Sequence, residues 1–125
     1  MASPIDQDFF ACLRALNDKF EAGIPGMLDR LREQRRASDP AAPDAACIKA
    51  LQETLHTIAG SAATFGFRLF GQQARTLEQR LRVLMTFDAV APGQWQCWLE
   101  ALDAYIDWAG IDPKAEVNTS VPPGQ

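Results

Sequence analysis

The chain has 125 residues, of which 47% are hydrophobic and 22% charged, with a net charge of −4. That balance fits one soluble domain with a real core and excludes a disordered tail or a general nucleic-acid binder. Three widely spaced cysteines without a Cys-x-x-Cys pair exclude a disulfide framework, and one histidine with scattered thiols is too few ligands for a metal site.

Five amphipathic stretches follow one another, with no alternating strand pattern. The first is expected over residues 4–22, capped by Ser3 with Pro4 in its first turn. Phe9, Cys12, Leu13, Leu16 and Phe20 form its expected buried face, and Gly23 its end. The second is expected over residues 24–37, with Ile24, Met27, Leu28 and Leu31 inward. Arg30, Arg32, Arg35 and Arg36 make its last turns basic. They complement the helix C-terminus or, alternatively, offer a docking face to an acidic partner.

Residues 38–43 hold two prolines and read as a loop. Asp44 then caps a third helix whose apolar stripe is Ile48, Leu51, Leu55, Ile58, Ala62 and Phe65. Gly66 is its natural stop, because glycine accepts the left-handed conformation without strain. A fourth helix, expected over residues 67–87, carries Phe70, Ala74, Leu77, Leu81 and Leu84 on its core side. A fifth, expected over residues 92–109 and ended by Gly110, presents Trp95, Trp98, Leu99, Leu102, Tyr105 and Ile106. Cys12 and Cys97 are expected to pack as small apolar side chains.

The fold class that follows is all-α: an antiparallel up-and-down four-helix bundle with an additional N-terminal helix. Residues 1–4 are assigned to a tail, 5–110 to the bundle and 111–125 to a disordered tail or linker. No basic-apolar leader opens the chain and no apolar run nears the roughly 18 residues of a membrane span. A cytoplasmic, monomeric protein is therefore expected, without nucleic-acid or membrane partners.

The single histidine, His56, lies in the third helix but off its apolar stripe, roughly 130° from the stripe's centre on a helical wheel. Its neighbours on that side are Ala59, Gly60 and Ala63. A nucleophilic imidazole thus stands on a surface cleared of bulk. Gly60 in mid-helix costs about 0.5–1 kcal/mol relative to alanine. It makes room either for another molecule or for a closely packed helix.

The run His56, Gly60, Ser61 and Ala62, with Gly66 ten residues after the histidine, resembles the histidine-containing phosphotransfer (Hpt) domains of two-component phosphorelays. Leu69 and Leu77-Glu78 extend the resemblance into the next helix. It covers roughly residues 5–110 and implies that His56 accepts a phosphoryl group, at Nε2 in that family's manner, from an aspartate of a receiver domain and passes it to another. The implied partners are response-regulator receiver domains and a hybrid sensor kinase. Mg²⁺ is expected on the receiver; the chain itself would need no cofactor and would be a phosphocarrier, not an enzyme.

The resemblance also implies that Glu78, about 80° from the centre of the fourth helix's stripe, hydrogen-bonds the other ring nitrogen of His56. One position departs from the family: Ala59 stands where a lysine is usual. Lys49, Arg68 and Arg75 are the cations placed to compensate. The alternative function is a helical docking module that binds a receiver or kinase without carrying phosphate.

Overall fold

The computed structural model of the chain describes residues 4–86 and 91–115, and these form four helices: α1 (Pro4–Ala37), α2 (Ala45–Ala62), α3 (Arg68–Leu84) and α4 (Pro92–Ile111). Each helix packs against the next in the chain, and α1 closes on α4. Cross-helix bonds show that neighbours run antiparallel. Trp98 donates its indole N–H to the Leu77 carbonyl at 2.9 Å and Tyr105 its hydroxyl to the Phe70 carbonyl at 3.0 Å, so α4 descends as α3 ascends. Both bonds lie inside the core, where an unpaired indole N–H or phenol O–H would be costly.

The two expected N-terminal helices are one. α1 continues for 34 residues through Gly23 and Pro25, so there is no additional helix beside the bundle. Proline removes the N–H that would bond the carbonyl four residues back. Here Gly23, Pro25 and Gly26 all face solvent, where water can satisfy that carbonyl. Ile24, Leu28 and Leu31 meanwhile hold the opposite face in the core. Burial of those side chains outweighs the local preference for a break.

The N-terminal half of α1 corrects a second expectation. Phe20 is buried, but Phe9, Leu16 and Cys12 are exposed and Leu13 is only half-buried. At 1.5 Å per residue, α1 is about 51 Å long against roughly 27 Å for the 18 residues of α2. Its first turns therefore run past the ends of its neighbours. Cys97 is exposed as well, and Phe65 and Leu84 are partly buried at the core's margin. The other core assignments on the three following helices are buried.

Boundaries follow local chemistry. Asp44 caps α2 by accepting from the Cys47 N–H at 3.2 Å. Trp95 Nε1 donates to the Asp39 carbonyl at 2.8 Å and ties the proline loop to α4. Gly66 turns the chain at φ +86°, a left-handed conformation suited to glycine, and the Phe67 N–H returns to the Ala62 carbonyl at 2.9 Å. Phe67 is buried, and Phe20 and Phe65 stack at 5.2 Å beside it. α4 runs through Gly110 to Ile111, and Lys114 then pairs with Glu21 at 2.9 Å. That ion pair holds the Lys114 ammonium above the usual lysine range. The helix expected to reach Phe87 ends at Leu84, where the Met85 N–H closes on the Leu81 carbonyl, and the expected Ser3 cap and the part of the expected tail from residue 116 lie outside the described residues.

Among the described residues no helix is long and apolar enough to cross a membrane.

Candidate functional site

α2 and α3 form the tightest seam of the bundle, and one glycine sets its spacing. A Cβ added to Gly71 would lie 3.0 Å from the Ala62 Cβ and 3.3 Å from the Ala63 amide nitrogen. Any larger residue would have to push its neighbours back by a few tenths of an ångström. With Ala62 and the backbones of Ala59 and Ala63 forming the same contact, the two helices come close near the turn. About two turns further on, side chains on facing edges can bridge.

His56 and Glu78 do so. His56 Nδ1 lies 3.0 and 3.1 Å from the two carboxylate oxygens of Glu78. The imidazole is 69% exposed, whereas the Glu78 side chain is 6% exposed. An ionised carboxylate can only accept, so Nδ1 carries the hydrogen in this bond. In the neutral ring that leaves the lone pair on Nε2, on the edge turned away from Glu78. Glu78 is therefore a buried partner of the ring, at the border of the core stripe where the wheel puts it.

The same carboxylate has a second partner. Arg82 Nη2 donates to Glu78 Oε1 at 2.7 Å, one helical turn on. Arg82 is not among the site residues expected from the sequence. Its signal was the i,i+4 spacing from Glu78, which places an arginine over a glutamate on one helix face.

Two open concavities flank the imidazole. One is lined by Lys49, Gln52, Glu53 and Thr57, the other by Ala59, Gly60, Arg75 and Gln79, and Glu78 and Arg82 border both. The structure thus brings Lys49, Ala59, Gly60, Arg75 and Glu78 together around His56. Gly60 has nothing within 4 Å of where a Cβ would stand. The close-packing explanation therefore belongs to Gly71, and Gly60 opens onto free space. Ala63 is exposed and Ser61 half-buried, one turn further along α2. Gly66 shapes the turn and does not line either concavity. Arg68 bonds Gln72 at 3.2 Å. It lies ten residues before Glu78, about 15 Å along α3.

The basic end of α1 is largely spoken for. Arg35 pairs with Asp103 at 3.0 Å and Arg32 with Asp29 at 2.9 Å. Among the described residues no group of three or more histidine, cysteine or acidic side chains is gathered to hold a metal ion.

This arrangement offers a bare, oriented nitrogen nucleophile on an uncluttered helix face. The Hpt domain family model matches residues 7–108 of the chain. No curated protein and no solved structure matches it. With the match spanning most of the sequence, the chain belongs to the Hpt domain family, whose members are phosphocarriers of two-component signalling rather than kinases.

Proposed function

We propose that this Hpt domain relays a phosphoryl group between the aspartates of receiver domains through Nε2 of His56. The observation that carries this reading is the exposed imidazole whose Nδ1 is held by the buried Glu78 carboxylate. In the step, the Nε2 lone pair attacks the phosphorus of an aspartyl phosphate. The Nε2–P bond forms, the acyl P–O bond breaks, and its electron pair leaves on the aspartate carboxylate. Nδ1 keeps its hydrogen throughout, still donated to Glu78, and the negative phosphoryl group offsets the positive charge the ring acquires. Return transfer to a second aspartate reverses the same bonds, so no proton need move in either direction.

Phosphoryl transfer asks chiefly for in-line positioning and charge stabilisation. The small side chains at Ala59, Gly60 and Ala63 supply an approach for a receiver's loops, with Ser61 beside them. Lys49 and Arg75 supply positive charge near the ring where Ala59 has none. Arg68 is the more distant contributor, at the α2–α3 turn. Mg²⁺ is assigned to the receiver, and a hybrid sensor kinase is the assigned upstream source. The reading places the chain in the cytoplasm as a monomer, which suits its three free cysteines.

Incubation with a phosphorylated receiver tests this. Acid-labile, alkali-stable label on the wild type, absent from His56→Gln, is the expected result. Tight receiver binding with no label on His56 would instead establish the docking module.

A further inference from the structure

Glu78 poses an electrostatic problem that the relay alone does not solve. Its carboxylate is buried, and a buried carboxylate needs a counter-charge. His56 can supply one only by becoming an imidazolium. Both ring nitrogens then carry hydrogen, and the nucleophilic lone pair is gone. The carboxylate that aligns the ring would thereby disable it.

The charged groups facing the ring are Lys49 and Glu53 from α2, and Arg75, Glu78 and Arg82 from α3. Lys49 and Glu53 lie on one side, of opposite sign, and Arg75 on the other. Arg82 borders both concavities and is hydrogen-bonded to Glu78 at 2.7 Å, on the same Oε1 that lies 3.0 Å from His56 Nδ1. Its guanidinium is held charged at any pH the protein meets.

We propose that Arg82 is a positioning residue for the transfer: by neutralising Glu78 it lets the carboxylate accept the Nδ1 hydrogen without drawing a second proton onto Nε2. The inference rests on the phosphotransfer reading of His56 and adds to it the reason a carboxylate is tolerated beneath the nucleophile. Glu78 sets which nitrogen bears the hydrogen, and Arg82 keeps the other one bare. Arg82 is 58% exposed, so its replacement is not expected to unfold the bundle.

The test uses the full chain and potassium phosphoramidate, a small donor that needs no receiver. Nε2 attacks phosphorus, the donor's P–N bond breaks, and ammonia leaves with the electron pair. Labelling rates are measured from about pH 6 to pH 9.5 for wild type, Arg82→Gln, Arg82→Lys and the double variant Glu78→Gln/Arg82→Gln. Ring-nitrogen NMR of His56 reports in parallel which nitrogens carry hydrogen.

Removing a cation this close to the pair is expected to slow labelling of Arg82→Gln about fivefold near pH 7, with hydrogen appearing on Nε2. The deficit closes toward pH 9.5, where solution strips that proton anyway. Arg82→Lys stays near the wild-type rate. The double variant labels faster than Arg82→Gln alone, because the charge that attracts the proton is gone. A deficit equal at every pH and shared by the double variant would mean that Arg82 only supports structure, and would overturn the proposal. So would an Arg82→Gln profile matching wild type. If wild type takes no label at all, the phosphotransfer reading falls. The ring spectra then still decide the role of Arg82: hydrogen gained on Nε2 in Arg82→Gln upholds it, and an unchanged spectrum overturns it.

Discussion

The inner and outer surfaces of the α2–α3 pair use the same small residues for opposite ends. On the inner seam Gly71 sits where a Cβ would press on Ala62 and the Ala63 backbone, so its lack of a side chain keeps the packing tight. On the outer face Gly60 meets nothing within 4 Å, so its lack of a side chain serves no contact within the chain. Gly60 lies in the last turn of α2 and Gly71 in the first turn of α3, and each carries the entropic penalty of a helical glycine. Only the inner one recovers it within the fold. The outer one leaves a clear approach beside His56, which is intelligible if another protein must come near.

Substitutions can break or sharpen this contrast. The largest effect is expected on the inner seam. Gly71→Val pushes a branched side chain into the Ala62 contact and should destabilise the fold by about 2 kcal/mol or more. Chemical denaturation measures it, and an unchanged midpoint would mean the seam is looser than its distances imply. On the outer face Gly60→Leu should leave stability nearly intact but slow transfer from a phosphorylated receiver about tenfold, roughly 1.4 kcal/mol. Labelling by phosphoramidate, which needs little room, should fall far less. Equal losses from both donors would count against a crowded protein interface. A smaller split is expected between two arginines. Arg75→Gln should slow receiver transfer about threefold by removing a cation beside the ring, and Arg68→Gln by less than that at its greater distance. The smallest effect separates the glycines most cleanly. Gly60→Ala should stabilise the protein by about 0.5–1 kcal/mol, since the added Cβ enters open space in a helix. Thermal melting would register the gain, and a loss would show that Gly60 has a packing role after all.

Much of this was legible because a helix's apolar period survives in the linear chain. The stripes Ile48-Leu51-Leu55-Ile58-Ala62 and Phe70-Ala74-Leu77-Leu81 are buried where the wheel puts them, and Asp44 caps the start of α2, whereas α2 ends at Ala62, four residues before the expected stop at Gly66. The same logic failed for Phe9, Cys12 and Leu16. Periodicity shows that a helix has an apolar face but not whether a neighbour is long enough to cover it. Gly23 and Pro25 misled for a different reason. Their local preference for a break is real, but it is small beside the burial of Ile24, Leu28 and Leu31 and is eased by solvent on the proline side. At the site, the pairing of His56 with Glu78 followed from the family resemblance and the edge position of Glu78. Arg82 does not stand out in the sequence, because it also fits an ordinary solvated stripe with Arg75 and Gln79. What distinguishes it is the depth of its partner, and burial across two helices is not written in spacing along one.

The unbroken course of α1 past Pro25 has a mechanical consequence. A continuous helix fixes rotation as well as direction, so the ridge formed by Phe9 and Leu16 is locked in phase with the Phe20-Ile24-Leu28 seam. One residue inserted between them would swing that ridge by about 100° and advance it by about 1.5 Å. The length of this segment therefore encodes an angle, and a hinge at Gly23 would have erased it.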